Sequence, residues 1–246
     1  MTKILMIVTG ADSLTLADGT SHPTGFWAEE LAASHQVFRD AGVDVDIATP
    51  GGVAPTVDAV SLDARGGVGD AEAATFRDYL AGISADLSAP LAIADVDAAS
   101  YDAIYIPGGH GPMADLATDA ELGRLLTDAD DRGQLIAALC HGPAALLAAN
   151  RPDGTFTFAG RRLVVFTDEE ERQGGLGDAT PWWVETTLRE RGATVQAGTP
   201  WSNTVVVDGN LVTGQNPQSS VATAQQVLKT LGIPPAGVSG AASVTG

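Results

Sequence analysis

Short apolar runs alternate with amphipathic stretches along most of the 246-residue chain. That rhythm predicts an α/β fold, with a mostly parallel sheet covered by helices on both faces. Residues 4–8, 43–48, 103–106, 134–139 and 163–166 read as strands. Residues 25–41, carrying Trp27, Leu31, Val37 and Phe38, read as a helix, as do 121–132, 182–191 and 219–231. The apolar pieces 204–207 and 211–213 flank Asp208-Gly209-Asn210 and predict a hairpin. Residues 51–100 are richer in Gly, Asp and Ala with weak periodicity, and read as a surface insertion or small cap. The pattern therefore predicts one domain over 1–232 with that insertion, and a small-residue tail over 233–246. The ligand site of such a sheet lies beyond the carboxyl ends of its strands.

Composition narrows the functional classes. Thirteen basic residues against thirty-one acidic ones give a net charge of −18, and Lys3 and Lys229 are the only lysines. With no basic stripe, binding to a nucleic-acid backbone or an anionic membrane is disfavoured. Hydrophobic residues make up 44% of the chain, enough for a substantial core. The apolar start at residues 4–8 is too short for a signal sequence and no later run reaches membrane-spanning length, so a cytoplasmic protein is expected. A single cysteine excludes an intramolecular disulfide and any thiolate metal cluster.

That cysteine, Cys140, stands in Ala138-Leu139-Cys140-His141-Gly142-Pro143, between the apolar run 135–139 and an Ala/Leu run over 144–149. This reads as a strand–turn–helix junction with a thiol at its apex, where a helix N-terminus would favour thiolate. The adjoining His141 is a candidate proton acceptor. Pro107-Gly108-Gly109-His110-Gly111 follows another strand. It offers either a plain tight turn or an oxyanion site built from the backbone N–H groups of Gly109 and His141. Of the pair Glu29 and Glu30 at the start of the first helix, one is expected to project toward the thiol as a proton carrier; the sequence alone leaves the choice open. Asp168-Glu169-Glu170-Glu171 reads as a solvated helix start, with one acid available to orient His141. As a metal site the acidic run lacks histidine support, so no metal is expected. His22 and His35 read as solvent or packing residues.

Together, Pro107–Gly111, the Cys140 elbow, Phe166-Thr167-Asp168-Glu169-Glu170-Glu171 and Val212-Thr213-Gly214-Gln215-Asn216-Pro217-Gln218-Ser219 resemble the ThiJ/PfpI superfamily, the class I glutamine amidotransferase-like fold. Within it, the chain is most similar to the heat-shock chaperone/glyoxalase III branch. The resemblance implies a flavodoxin-like three-layer sandwich, a homodimer, and Cys140 as nucleophile on an elbow. It places the proton carrier at Glu30, a histidine at His141 with Glu171 as its orienting acid, and substrate or oxyanion contacts at Gly109, His110 and His141. Relatives often carry a bulky aromatic where Ala114 stands, so the pocket wall is expected to differ there. The implied reaction is cofactor-free conversion of a small dicarbonyl such as methylglyoxal to the 2-hydroxy acid. A cysteine amidase or peptidase, and a stress chaperone or redox sensor without turnover, are the rival readings.

Overall fold

The computed structural model describes residues 2–234, so the expected tail lies outside the described residues from 235 onward. The chain begins with β1 (Lys3–Ile7), the short β2 (Ser13–Thr15) and β3 (Ser21–Pro23), α1 (Ala28–Asp40) and β4 (Asp44–Thr49). Then come α2 (Asp70–Gly82), α3 (Ser84–Ser88), β5 (Leu91–Ala92), β6 (Ala103–Ile106), α4 (Gly111–Ala114), α5 (Ala120–Asp131) and β7 (Leu135–Leu139). The last third supplies β8 (Arg162–Leu163), α6 (Asp168–Gly174), α7 (Val184–Glu190), β9 (Thr194–Val195), β10 (Val205–Asp208), β11 (Leu211–Gly214) and α8 (Ser220–Thr230).

Seven strands form the central sheet in the order β10-β11-β7-β6-β1-β4-β5. Only the β10–β11 hairpin is antiparallel; every other neighbouring pair is parallel. From β4 to β11 the parallel strands follow the flavodoxin-like order, whose switch point falls between β1 and β6. The sheet is buried on both faces. Ile4, Met6 and Val8 pack with Leu31 and Phe38 of α1 and with Ala224, Val227 and Leu228 of α8. Leu5 and Ile7 point the other way, toward Leu122 and Leu126 of α5 and Leu146. Alternate side chains of one strand thus feed two cores, the three-layer arrangement the apolar runs require.

Two expectations change. Residues 163–166 do not form a strand of the main sheet, because β11 already pairs with β7 on one side and β10 on the other. Only Arg162 and Leu163 are extended in a ladder, and they pair with β9 in a separate two-stranded sheet. Residues 51–100 are more regular than their composition suggests. They contain the 13-residue α2, which packs on α1, and β5, which adds an edge to the sheet by pairing with β4.

Candidate active site

The carboxyl ends of β1, β6 and β7 converge at the switch point and bring the candidate residues together. Cys140 follows β7 with φ 58, a left-handed conformation rare for a non-glycine residue and costing about 1–2 kcal/mol. Two hydrogen bonds hold the turn: the Cys140 N–H donates to the Gly214 carbonyl (3.0 Å), and its carbonyl accepts from the Phe166 N–H (2.9 Å). The segment leaving the elbow, Gly142–Ala148, is a 3₁₀ helix rather than the expected α-helix. It packs tightly, since a Cβ on Gly142 would lie 2.4 Å from the Ile106 carbonyl oxygen.

The thiol itself differs from expectation. Cys140 is only 3% exposed, and burial pushes its thiol well above the usual range. The Glu30 carboxyl beside it adds to that rise, against a lowering contribution from the His141 backbone N–H. The short 3₁₀ segment offers a poorer dipole than a full α-helix, so an ionised resting thiol is not what this environment favours.

Glu30 rather than Glu29 is the carboxyl at the thiol. Its side chain is completely buried, and Oε2 accepts the Gly108 N–H at 2.6 Å. The thiol lies against the carboxyl, and Oε1 has no hydrogen-bond partner among the described residues. Burial pushes Glu30 up to about 8, so the group is a neutral acid at pH 7 and its proton can face the sulfur. Glu29 is half-buried and is raised to about 7, by burial and then by Glu72. Gly108 permits this contact: a Cβ there would meet His141 N and the Leu139 carbonyl at 2.8 Å and Glu30 Oε2 at 2.9 Å. Gly108→Ala is accordingly expected to lower stability by about 1–3 kcal/mol, read from urea unfolding.

On the other side of the sulfur, His141 Nδ1 lies 3.4 Å from Sγ, and its Nε2 lies 2.6 Å from Glu171 Oε2. Burial and the neighbouring His110 lower His141, which stays neutral, with Nε2–H donating to Glu171 and Nδ1 facing the thiol. Burial raises Glu171, but the His141 and His110 rings outweigh it and hold the carboxyl well below the usual carboxylate range. Glu170, one position away, does another job. Its carboxylate closes a capping box with Thr167 and accepts hydrogen bonds from Gln215, Asn216 and the Trp201 N–H.

The acidic turn does have histidine support, contrary to expectation. His110 Nε2 lies 3.0 and 3.3 Å from the Glu171 oxygens, and the His110 and His141 ring centroids are 4.2 Å apart. Sequence separation hid this, since His110 follows β6 and Glu171 sits in α6. The His110 ring is thus engaged with Glu171, while the backbone N–H groups of Gly109 and His141 donate to no backbone acceptor among the described residues. Both of those residues line the cavity.

The cavity over Cys140 has a volume of about 290 Å³. Trp27, Phe166 and Trp201 form aromatic parts of its lining, and Arg65-Gly66-Gly67 reach it from the 51–100 segment. Ala114 is exposed and does not line it. Trp201 and Arg65 escaped sequence reasoning: each is a lone residue in an irregular segment. Trp201 is placed by a positive φ of 64 and by hydrogen bonds to Glu170 and Gln173. Away from the site, His35 is buried with Nδ1 2.8 Å from the Tyr79 hydroxyl, in line with a packing role.

Known proteins place this arrangement. Glyoxalase 3 of Candida albicans is 29% identical over 238 residues, spanning 93% of this chain and 98% of that protein. The protein/nucleic acid deglycase HchA of Pseudomonas aeruginosa is 29% identical over 245 residues, covering 93% of this chain and 80% of the other. The crystal structure of the Candida glyoxalase III superimposes with a TM-score of 0.77 over 93% of this chain and 96% of its own. The Rapid Encystment Protein of Francisella tularensis, 28% identical, reaches 0.84 over 94% of this chain and 99% of its own. The model of the DJ-1/PfpI family matches residues 22–157, a span that contains Glu30, His110 and the Cys140 elbow, and the chain belongs to that family.

Proposed function

We propose that this chain is a cofactor-independent glyoxalase of the glyoxalase III type, turning methylglyoxal or a related 2-oxoaldehyde into the 2-hydroxy acid. One observation carries the reading: a thiol on a left-handed elbow, flanked by a neutral buried carboxyl and by a His–carboxylate pair, at the floor of a cavity. The similarity to glyoxalase 3 supports the reaction class.

Substrate enters over Cys140. The thiol proton passes to His141 Nδ1 as Sγ bonds to the aldehyde carbon, and the carbonyl oxygen, facing the Gly109 and His141 N–H groups, takes that proton from His141 to give a neutral hemithioacetal. Glu30, once ionised, removes the proton from that carbon; the electron pair moves toward the neighbouring ketone and forms an enediol. Glu30 returns that proton to the second carbon while the hydroxyl proton of the first carbon moves, by way of His141, to the oxygen on the second, which leaves a thioester of the 2-hydroxy acid. Water hydrolyses it, releasing the acid and restoring the thiol. Glu171 touches no reacting atom in this scheme and acts as a positioning residue, holding the His141 ring with Nδ1 toward the sulfur. A neutral thiol suffices at rest, because His141 takes its proton as attack proceeds in the form of the protein whose Glu30 is ionised.

Lactate release from methylglyoxal without glutathione, measured beside hydrolysis of simple amides, tests the proposal. Turnover of the dicarbonyl with inert amides is the expected result. Amide hydrolysis without lactate would move the same nucleophile to an amidase.

A further inference from the structure

Orienting His141 needs one carboxylate, yet Glu171 is met by two imidazoles through the same ring atom. Nε2 of His141 lies 2.6 Å from Oε2, and Nε2 of His110 lies 3.0 Å from Oε1. One nitrogen or oxygen from each of His110, His141 and Glu171 falls within 4.8 Å of the others, and all three residues are buried. We propose that these three residues form a binding site for a zinc-type divalent cation, and that its occupancy reversibly silences Cys140.

The donor set suits that ion. Two imidazoles and a carboxylate match zinc's preferences, with a fourth position left for water. A tetrahedral ion with bonds of about 2.0–2.1 Å spaces its ligand atoms roughly 3.3 Å apart, so the cluster adjusts by about an ångström or less at the two His–Glu contacts. The carboxylate is held from behind: the Leu176 N–H donates to Glu171 Oε1 at 2.5 Å. Gly175 leaves room for it, since a Cβ there would lie 2.1 Å from the same oxygen. His110 and His141 both line the cavity, which gives the ion a route in and water a place beside it.

As the metal takes the Nε2 lone pair of His141, the ring proton moves to Nδ1, 3.4 Å from Sγ. The nitrogen that accepts the thiol proton is then occupied. The metal site stands on this geometry alone; the loss of turnover rests on the glyoxalase reading.

Zinc sulfate titrated into the intact metal-free protein by calorimetry should show one ion per chain. Cys140→Ser should change the affinity less than about twofold, whereas His110→Ala and the better-filling His110→Gln should each weaken it more than about tenfold. Cobalt(II) in the wild-type protein should give visible ligand-field bands without a sulfur-to-metal charge-transfer band, a reading that needs no variant to fold. A thiolate band, wild-type affinity in a folded His110 variant, or no stoichiometric uptake would overturn the site. Zinc should also abolish lactate formation with the same midpoint, and EDTA should restore it. Stoichiometric zinc binding to a protein that never turns over methylglyoxal would leave the site intact and remove the glyoxalase reading.

Discussion

Replacing Cys140 by alanine is expected to reduce lactate formation by about 10⁴-fold or more while leaving the fold in place. Nothing nearby can substitute for the sulfur: it is the only cysteine in the chain, and its neighbours Glu30 and His141 supply or accept protons. Stability should move little, because Sγ forms part of the wall of an existing cavity and its removal enlarges that cavity rather than opening a new void. Cys140→Gly separates chemistry from strain. It should be equally inactive, yet relief of the left-handed conformation should return about 1 kcal/mol relative to alanine. Lactate assays and thermal melts on the two variants read both effects. Residual activity in Cys140→Ala above about one part in a hundred would contradict a nucleophilic role.

The apolar runs placed the sheet well because each core strand is buried on both faces and so announces itself without alternation. The expected strand 103–106 coincides with β6, and 134–139 differs from β7 by a single residue. Residues 163–166 are as apolar as those strands, and Val164 and Val165 are fully buried. Burial alone does not make a strand, however, and the hairpin partner β10 takes the place beside β11. The elbow was legible because Cys140, His141, Gly142 and Pro143 are contiguous. The link from His110 to Glu171 was not, since it joins the end of β6 to α6 across 61 positions. The ionisation state of the thiol was also out of reach. It depends on how deeply Cys140 sits and on the carboxyl that shares its pocket, neither of which is a property of neighbouring residues in sequence.

Glu30→Gln should change both the pH profile and the stability of the protein, and the two effects have one origin. The buried thiol and carboxyl together hold two protons at pH 7, and the proposed chemistry needs one of them gone. The kcat/KM for methylglyoxal should therefore rise with unit slope as pH increases and level off above about 8, where Glu30 loses its proton. Glutamine cannot serve as the base, so the variant should lose that limb and fall by about 10²–10⁴-fold. For stability the sign is fixed by a folded-state pKa raised from an ordinary 4.5 to about 8. The neutral carboxyl is favoured in the fold, so its contribution is complete below about 4.5 and is lost progressively as pH rises to about 8. Over that window the wild type should lose about 5 kcal/mol relative to Glu30→Gln, a difference in melting temperature on the order of 10 °C at pH 9. Glutamine keeps a carbonyl for the Gly108 N–H and carries no charge to bury. Melts at half-unit pH intervals would show the two proteins diverging from about pH 5 and running parallel above pH 8. Parallel curves throughout would mean that Glu30 is ionised in the fold at ordinary pH, and would remove the shared proton on which the proposed chemistry turns.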